Sequence, residues 1–169
     1  IESLAKKLDV SNSMLLLTFY YVLLSKYTNQ EDIVVGTPVA NRNKEELLDM
    51  IGMFVNTLPI KNHIEPSMTF NEFLNNIKQN MVQALSHQEY PFDTLIRNLN
   101  IPRDTSRNPL FDTLFTYQND GLPPVKFEGI NATYCIPDTK ISKFDLSLEV
   151  IPTGGKFKLT FEYCTKLFN

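Results

Sequence analysis

The feature that most narrows the possible folds is a pair of short apolar strands joined by a polar connection. The first reads Asp32-Ile33-Val34-Val35-Gly36-Thr37-Pro38, the second Ile51-Gly52-Met53-Phe54-Val55-Asn56-Thr57-Leu58-Pro59-Ile60. Each is compact, apolar, rich in β-branched residues and closed by proline, as buried strands are. Between them, Val39-Ala40-Asn41-Arg42-Asn43 carries a single fixed charge. Asn56 and Thr57 set two polar side chains inside an apolar run. Such groups either find partners in a core or line a cavity, and the residues alone leave both readings open.

The remaining segments read as elements packed around this pair. Residues 1–8 end a helix, and Asp9-Val10-Ser11-Asn12 is a break with good N-cap candidates. Ser13 to Tyr27 is apolar almost all round and too short to span a bilayer, which predicts a helix buried on most sides. Lys44 to Met50 reads as a short helical stretch. Thr69-Phe70-Asn71-Glu72 is a capping box opening an amphipathic helix to about Ser86, with Phe70, Phe73, Leu74, Ile77, Met81 and Leu85 on its apolar face. Pro91 opens a shorter helix, Phe92 to Leu99. Leu110 to Gln118 and Ala132 to Ile136 read as strands. A β-hairpin closes the chain: Leu146, Leu148 and Val150 alternate on one arm and Leu159, Phe161 and Tyr163 on the other, around Thr153-Gly154-Gly155. The expected fold is a single α/β domain, a mixed β-sheet with packed helices.

Composition excludes several classes. With 43% hydrophobic and 21% charged residues over 169 positions, the chain can build its own core. A net charge of −3 provides no basic patch for nucleic acid, and no apolar run approaches the ~20 residues of a membrane span. The first residues, Ile1-Glu2-Ser3-Leu4, are neither signal nor transit peptide and lack an initiator Met, so the chain reads as a cytoplasmic piece of something longer. Cys135 and Cys164 have no metal-like spacing, and with two His no metal site is expected.

No nucleophile-and-base set stands out, and no catalytic residue is assigned. His87 sits among aromatics and is either a base or an orienting group at a helix end. Arg103 and Arg107 flank Asp104, to brace it or to meet a phosphate, with the brace favoured.

Several of these stretches resemble the core motifs of nonribosomal peptide synthetase condensation domains. Val35-Gly36-Thr37-Pro38-Val39-Ala40-Asn41-Arg42 looks like one of the family's central motifs, and Leu15 to Tyr27 followed by Thr28 to Pro38 is similar to its buried helix and first strand. Ile51 to Thr57 resembles its fifth core motif, with Lys61 where an Arg is common. His87-Gln88-Glu89-Tyr90-Pro91-Phe92-Asp93 resembles the sixth, with Glu and Asp exchanged. Arg103-Asp104-Thr105-Ser106-Arg107-Asn108-Pro109-Leu110 resembles the seventh. Lys143 to Leu146 and Glu162 to Phe168 look like its closing hairpin. The Phe-Val-Asn-Thr stretch separates this pattern from epimerisation domains, while a heterocyclisation branch stays open.

The resemblance implies one lobe of a two-lobed, chloramphenicol acetyltransferase-like fold. The family's catalytic signature, two adjacent His followed after three residues by Asp-Gly, does not occur in this sequence. Residues 1–169 therefore resemble the C-terminal lobe, inert alone, which supplies channel wall while carrier domains deliver substrates on phosphopantetheine arms. No cofactor is expected to bind the lobe directly. The implied partners are the N-terminal lobe, carrier domains and an adenylation domain of the same polypeptide. Competing readings are a docking module without chemistry, or a free-standing acyltransferase with His87 as base. The implied channel residues are Gly36, Thr37, Pro38, Arg42, Asn56 and Thr57. His87, Tyr90, Pro91, Phe92, Arg103, Asp104, Arg107, Asn108 and Pro109 are implied as structural motif residues. Strand alternation lets only one of Asn56 and Thr57 face the channel, and Asn56 is the expected one. Two loops, Gly36 to Asn43 and one within Asn119 to Ser142, are expected to bridge to the other lobe and to be poorly ordered without it. The uncovered helix and sheet edge make self-association expected.

Overall fold

A computed structural model describes the chain except for residues 103, 105, 120–126, 132–134, 136–139 and 169. The elements run α1 (Glu2–Lys7), α2 (Asn12–Thr28), β1 (Asp32–Val39), a 3₁₀ turn (Glu45–Leu47), β2 (Asn56–His63), α3 (Phe70–Ser86), α4 (Phe92–Asn98), β3 (Thr113–Tyr117), β4 (Leu146–Thr153) and β5 (Lys156–Tyr163). Among the described residues the strands form one mixed sheet in the order β2-β1-β3-β4-β5. The outer pairs, β1–β2 and β4–β5, are antiparallel, and β3 joins them by parallel pairing on both sides. The expected mixed α/β domain is what the chain forms.

One face of the sheet builds the core. Ile33 and Val35, Leu58 and Ile60, Phe115, and Leu148 and Val150 share that face and pack against Leu16, Leu17, Tyr20 and Tyr21 of α2 and Phe73, Ile77 and Met81 of α3. The helix α2 is buried on most sides, as its composition predicts, with Phe19 and Leu23 turned outward. Its two central tyrosines anchor the sheet: Tyr20 Oη bonds Thr113 Oγ1, and Tyr21 Oη donates to the carbonyl of Ile60. Burial pushes the Tyr20 phenol up to about 12 and Tyr21 higher still, so both stay protonated.

Local signals set several boundaries. Thr69 and Glu72 form the capping box of α3, and their hydrogen bonds hold the Glu72 carboxyl below its usual range. Gly154 and Gly155 turn the β4–β5 hairpin at φ of 56° and 75°, which L side chains rarely adopt.

Two boundaries differ from the sequence reading. The second strand begins at Asn56, not Ile51, because its partner runs out: the last pair is Val39↔Asn56, and the chain turns away at Asn41, φ 52°. Residues 51–55 face no strand, so their β propensity goes unused. The strand expected from Leu110 begins at Thr113, after Leu110 takes a φ of 71°. The strand expected over 132–136 falls largely outside the described residues.

Candidate functional site

The residues singled out from the sequence meet at one corner of the sheet, where the loop after β1, the first residues of β2 and the connection from α3 to α4 converge. Asn56 is the joint. Its Nδ2 donates to the carbonyls of Gln88 and Tyr90, both at 2.8 Å, and its Oδ1 accepts from the amide of Phe92 at 3.2 Å. One side chain thus holds three backbone groups of residues 88–92. The expectation that Asn56 offers its amide to the channel is corrected here. Asn56 lies on the helix-packed face, in line with Leu58 and Ile60, and both ends of its amide are occupied.

Alternation puts the two neighbours on opposite faces. Thr57 lies on the opposite face, paired with Pro38, and Gly36 shares that face through its pairing with Pro59. Thr37 returns to the helix side, buried, with its Oγ1 unpartnered among the described residues. The six expected channel residues therefore do not line one surface: Gly36, Pro38 and Thr57 form one group, Thr37 and Asn56 another.

Arg42 belongs to neither. Its guanidinium lies over the Phe54 ring at 4.3 Å and donates to the carbonyls of Leu47, Leu48 and Gly52. It closes the loop on itself, and Asn43 ties the loop to Glu89 at 2.6 Å. This corrects the reading of 36–43 as a poorly ordered bridge: residues 36–39 are strand, and 40–55 is a loop braced from within. What that loop presents is apolar. Ile51 and Met53 are 103% and 90% exposed, flanked by exposed Leu48, Met50 and Val55. The composition of residues 51–55 is that of a buried strand. Only the missing pairing partner distinguishes the two.

Gly36 is needed for close approach. A Cβ at this position would lie well inside van der Waals contact with the Phe111 ring. That ring is buried and held between Phe92 at 5.5 Å and Phe144 at 5.8 Å, so it cannot swing aside. Gly36→Ala is expected to lower stability by about 1–3 kcal/mol through overpacking. Chemical denaturation of the two proteins measures it, and an unchanged midpoint would mean that Phe111 does not wedge the strand.

The 104–112 loop is also rewired relative to the sequence reading. Arg107 pairs with Asp112 at 2.6 Å, while Asp104 accepts from the Ser106 amide and hydroxyl. The Ser106 bonds hold the Asp104 carboxyl low, and the Asp112 carboxylate raises Arg107. Arg103 lies outside the described residues. Asn108 donates to the carbonyl of Lys143 at 3.0 Å, tying the loop to the start of β4. Beside it, Asp93, Arg97, Asp104, Arg107 and Phe111 help to line an open cleft of about 1060 Å³.

His87 caps α3: its amide donates to the carbonyl of Ala84 and its carbonyl accepts from Tyr90. The imidazole is exposed and makes no hydrogen bond among the described residues. A general base needs an orienting partner, and His87 has none there. Tyr90 Oη accepts from Asn98 at 2.5 Å, which pins the start of α4, whose N-cap is Pro91. No His, Cys, Asp and Glu cluster among the described residues could hold a metal ion.

A mixed sheet with helices on one face and this motif-bearing corner is the fold of condensation domains. It superposes on a four-domain nonribosomal peptide synthetase, bound to AMP and glycine, with a TM-score of 0.86 over 96% of this chain and 14% of that one, at 26% identity. The condensation domain of the Monacolin K polyketide synthase MokA shares the fold at a TM-score of 0.81 over 98% of this chain and 38% of that one, at 24% identity. The chain belongs to the condensation-domain family, whose pattern matches residues 1–169. It is 46% identical over its whole length to bacitracin synthase 1 of Bacillus licheniformis, and 50% identical over 155 residues, 92% of the chain, to gramicidin S synthase 2 of Brevibacillus brevis. It spans only 3% and 4% of those two proteins.

Proposed function

We propose that this chain is the C-terminal lobe of a peptide-synthetase condensation domain and walls the channel in which an amide bond is made. One carrier domain presents an amine and another an acyl or peptidyl thioester, each on a phosphopantetheine arm. The amine nitrogen bonds to the carbonyl carbon, the carbon–sulfur bond breaks, and the proton lost by the amine ends on the departing thiol. The paired-His signature that orients or deprotonates the amine belongs to the N-terminal lobe. The observation that carries this reading is a family match over residues 1–169 in a sequence without that signature.

The exposed apolar arm from Leu48 to Val55, braced by Arg42, fits a surface made to meet a second lobe. Pro38 and Thr57, on the face away from α2 and α3, are the residues proposed to face the channel, with Gly36 covered by Phe111 and Asn56 and Arg42 holding the corner in shape. The chain's own residues hold no cofactor in this scheme. The N-terminal lobe, carrier domains and an adenylation domain of the same polypeptide are the proposed partners, in the cytoplasm. Among the described residues no helix is long and apolar enough to cross a membrane.

The test is amide formation from two carrier-bound thioesters. The 169-residue chain alone is expected to give no product above background, and joining it to an N-terminal lobe that carries the His pair is expected to restore turnover. Turnover by the chain alone, abolished by His87→Ala, would replace this reading with a self-sufficient acyltransferase.

A further inference from the structure

We infer that β5 is a self-complementary sheet edge through which two copies of this chain pair antiparallel, about a two-fold axis at Thr160. The inference rests on the sheet alone and is independent of the condensation reading.

The sheet order leaves β5 with β4 on one side and no strand on the other among the described residues. The backbone shows which groups point outward. The Val150 carbonyl accepts from Gln118 at 2.9 Å, so Val150 is turned towards β3. Alternation turns Glu149 and Ile151 towards β5, where they pair with Thr160 and Lys158. The main-chain donors and acceptors of Phe157, Leu159, Phe161 and Tyr163 therefore point to the open side. Among the described residues neither proline nor a bulge blunts them, and the charges on the strand, Lys156, Lys158 and Glu162, are of both signs. The β4–β5 register runs unbroken over eight residues, β5 has no proline, and Leu159, Phe161 and Tyr163 are nearly half exposed. Edges are ordinarily blunted by proline, bulges or charge. The opposite edge, β2, carries Pro59 and the Lys61–Asp32 ion pair.

What selects a second copy is the side-chain sequence. With Thr160 opposite the Thr160 of the second copy, the outward-facing residues pair Leu159 with Phe161 and Phe157 with Tyr163, each twice by symmetry. All of these apolar and aromatic contacts fall on one face. On the other face Lys158 lies opposite Glu162, again twice, in the pairs whose side chains approach most closely. A shift of one residue would oppose the two faces and leave the outward donors without matching acceptors. One strand thus supplies both halves of its own complement.

Charge exchange on β5, read by sedimentation equilibrium over a concentration series, tests this. Lys158→Glu and Glu162→Lys each place like charges opposite one another twice. Each is expected to weaken self-association about tenfold, and the double exchange to restore it to within about threefold of the parent. Leu159→Pro removes an outward-pointing amide without touching the β4 ladder and is expected to abolish association. Circular dichroism on dilute samples checks that each variant folds. A strictly monomeric parent at high concentration overturns the inference. So does a double exchange no stronger than either single one, or association that survives Leu159→Pro.

Discussion

Phe115→Ala is expected to remove about 3–5 kcal/mol of folding stability, the usual loss for a fully buried phenylalanine. Phe115 is 0% exposed at the middle of the central strand, opposite Leu148 on β4, with its ring 6.1 Å from that of Tyr20. It touches both halves of the sheet and the buried helix α2, so no neighbour can collapse into the space it leaves. A domain of this size holds only about 5–15 kcal/mol in total. The urea midpoint should therefore fall by a large fraction of its parent value. Ile51→Ala is the matched control. It removes an apolar side chain of similar kind from a 103% exposed position and should stay within about 0.5 kcal/mol of the parent. Equal losses from the two substitutions would mean that the loop from Leu48 to Val55 is packed, and that the core is not centred on Phe115.

Asn56→Ala is expected to cost about 2–3 kcal/mol, from three hydrogen bonds at about 1 kcal/mol each, partly replaced by water. The loss should be local before it is global. Amide exchange at residues 88–92 should accelerate more than exchange in β1 or β4, because those residues lose the side chain that gathers them. Asn56→Asp sharpens the test. The new carboxylate keeps the acceptor for the Phe92 amide but sets negative charge against the carbonyls of Gln88 and Tyr90. Its folded pKa must rise above the unfolded value of about 3.9. A raised acid is destabilising where it is ionised, so this variant should lose stability as the pH rises through that value and recover it as the pH falls. A parent-like pH profile for Asn56→Asp would show that the amide does not hold the two carbonyls.

The motifs of the sixth and seventh segments acquire a shared purpose in this geometry. Asn56 holds 88–92, Tyr90 is pinned by Asn98, Phe92 packs on Phe111, and Phe111 fills the space left by the missing side chain of Gly36. Asn108 and the Arg107–Asp112 pair then secure the loop that delivers Phe111. The corner is a framework of packing and hydrogen bonds.

Local chemistry was legible from the residues. The capping box of α3, its apolar stripe, the Gly154-Gly155 turn and the all-apolar α2 depend on neighbours within four positions, and each forms where the sequence places it. The family, too, was legible, because ordered motifs at the right spacing survive in one dimension. Which side of the sheet each motif residue serves was not. Asn56 and Thr57 are both polar and adjacent, and only the register against Val39 and Pro38 puts one under the helices and the other on the open face. Arg107 had an acid three residues before it and took another five residues after it, because the turn at Leu110 brings Asp112 back. Residues 51–55 have strand composition and no strand to pair with. Periodicity and propensity are properties of a segment, but pairing and facing are properties of two segments at once, and only the tertiary structure brings the second one near.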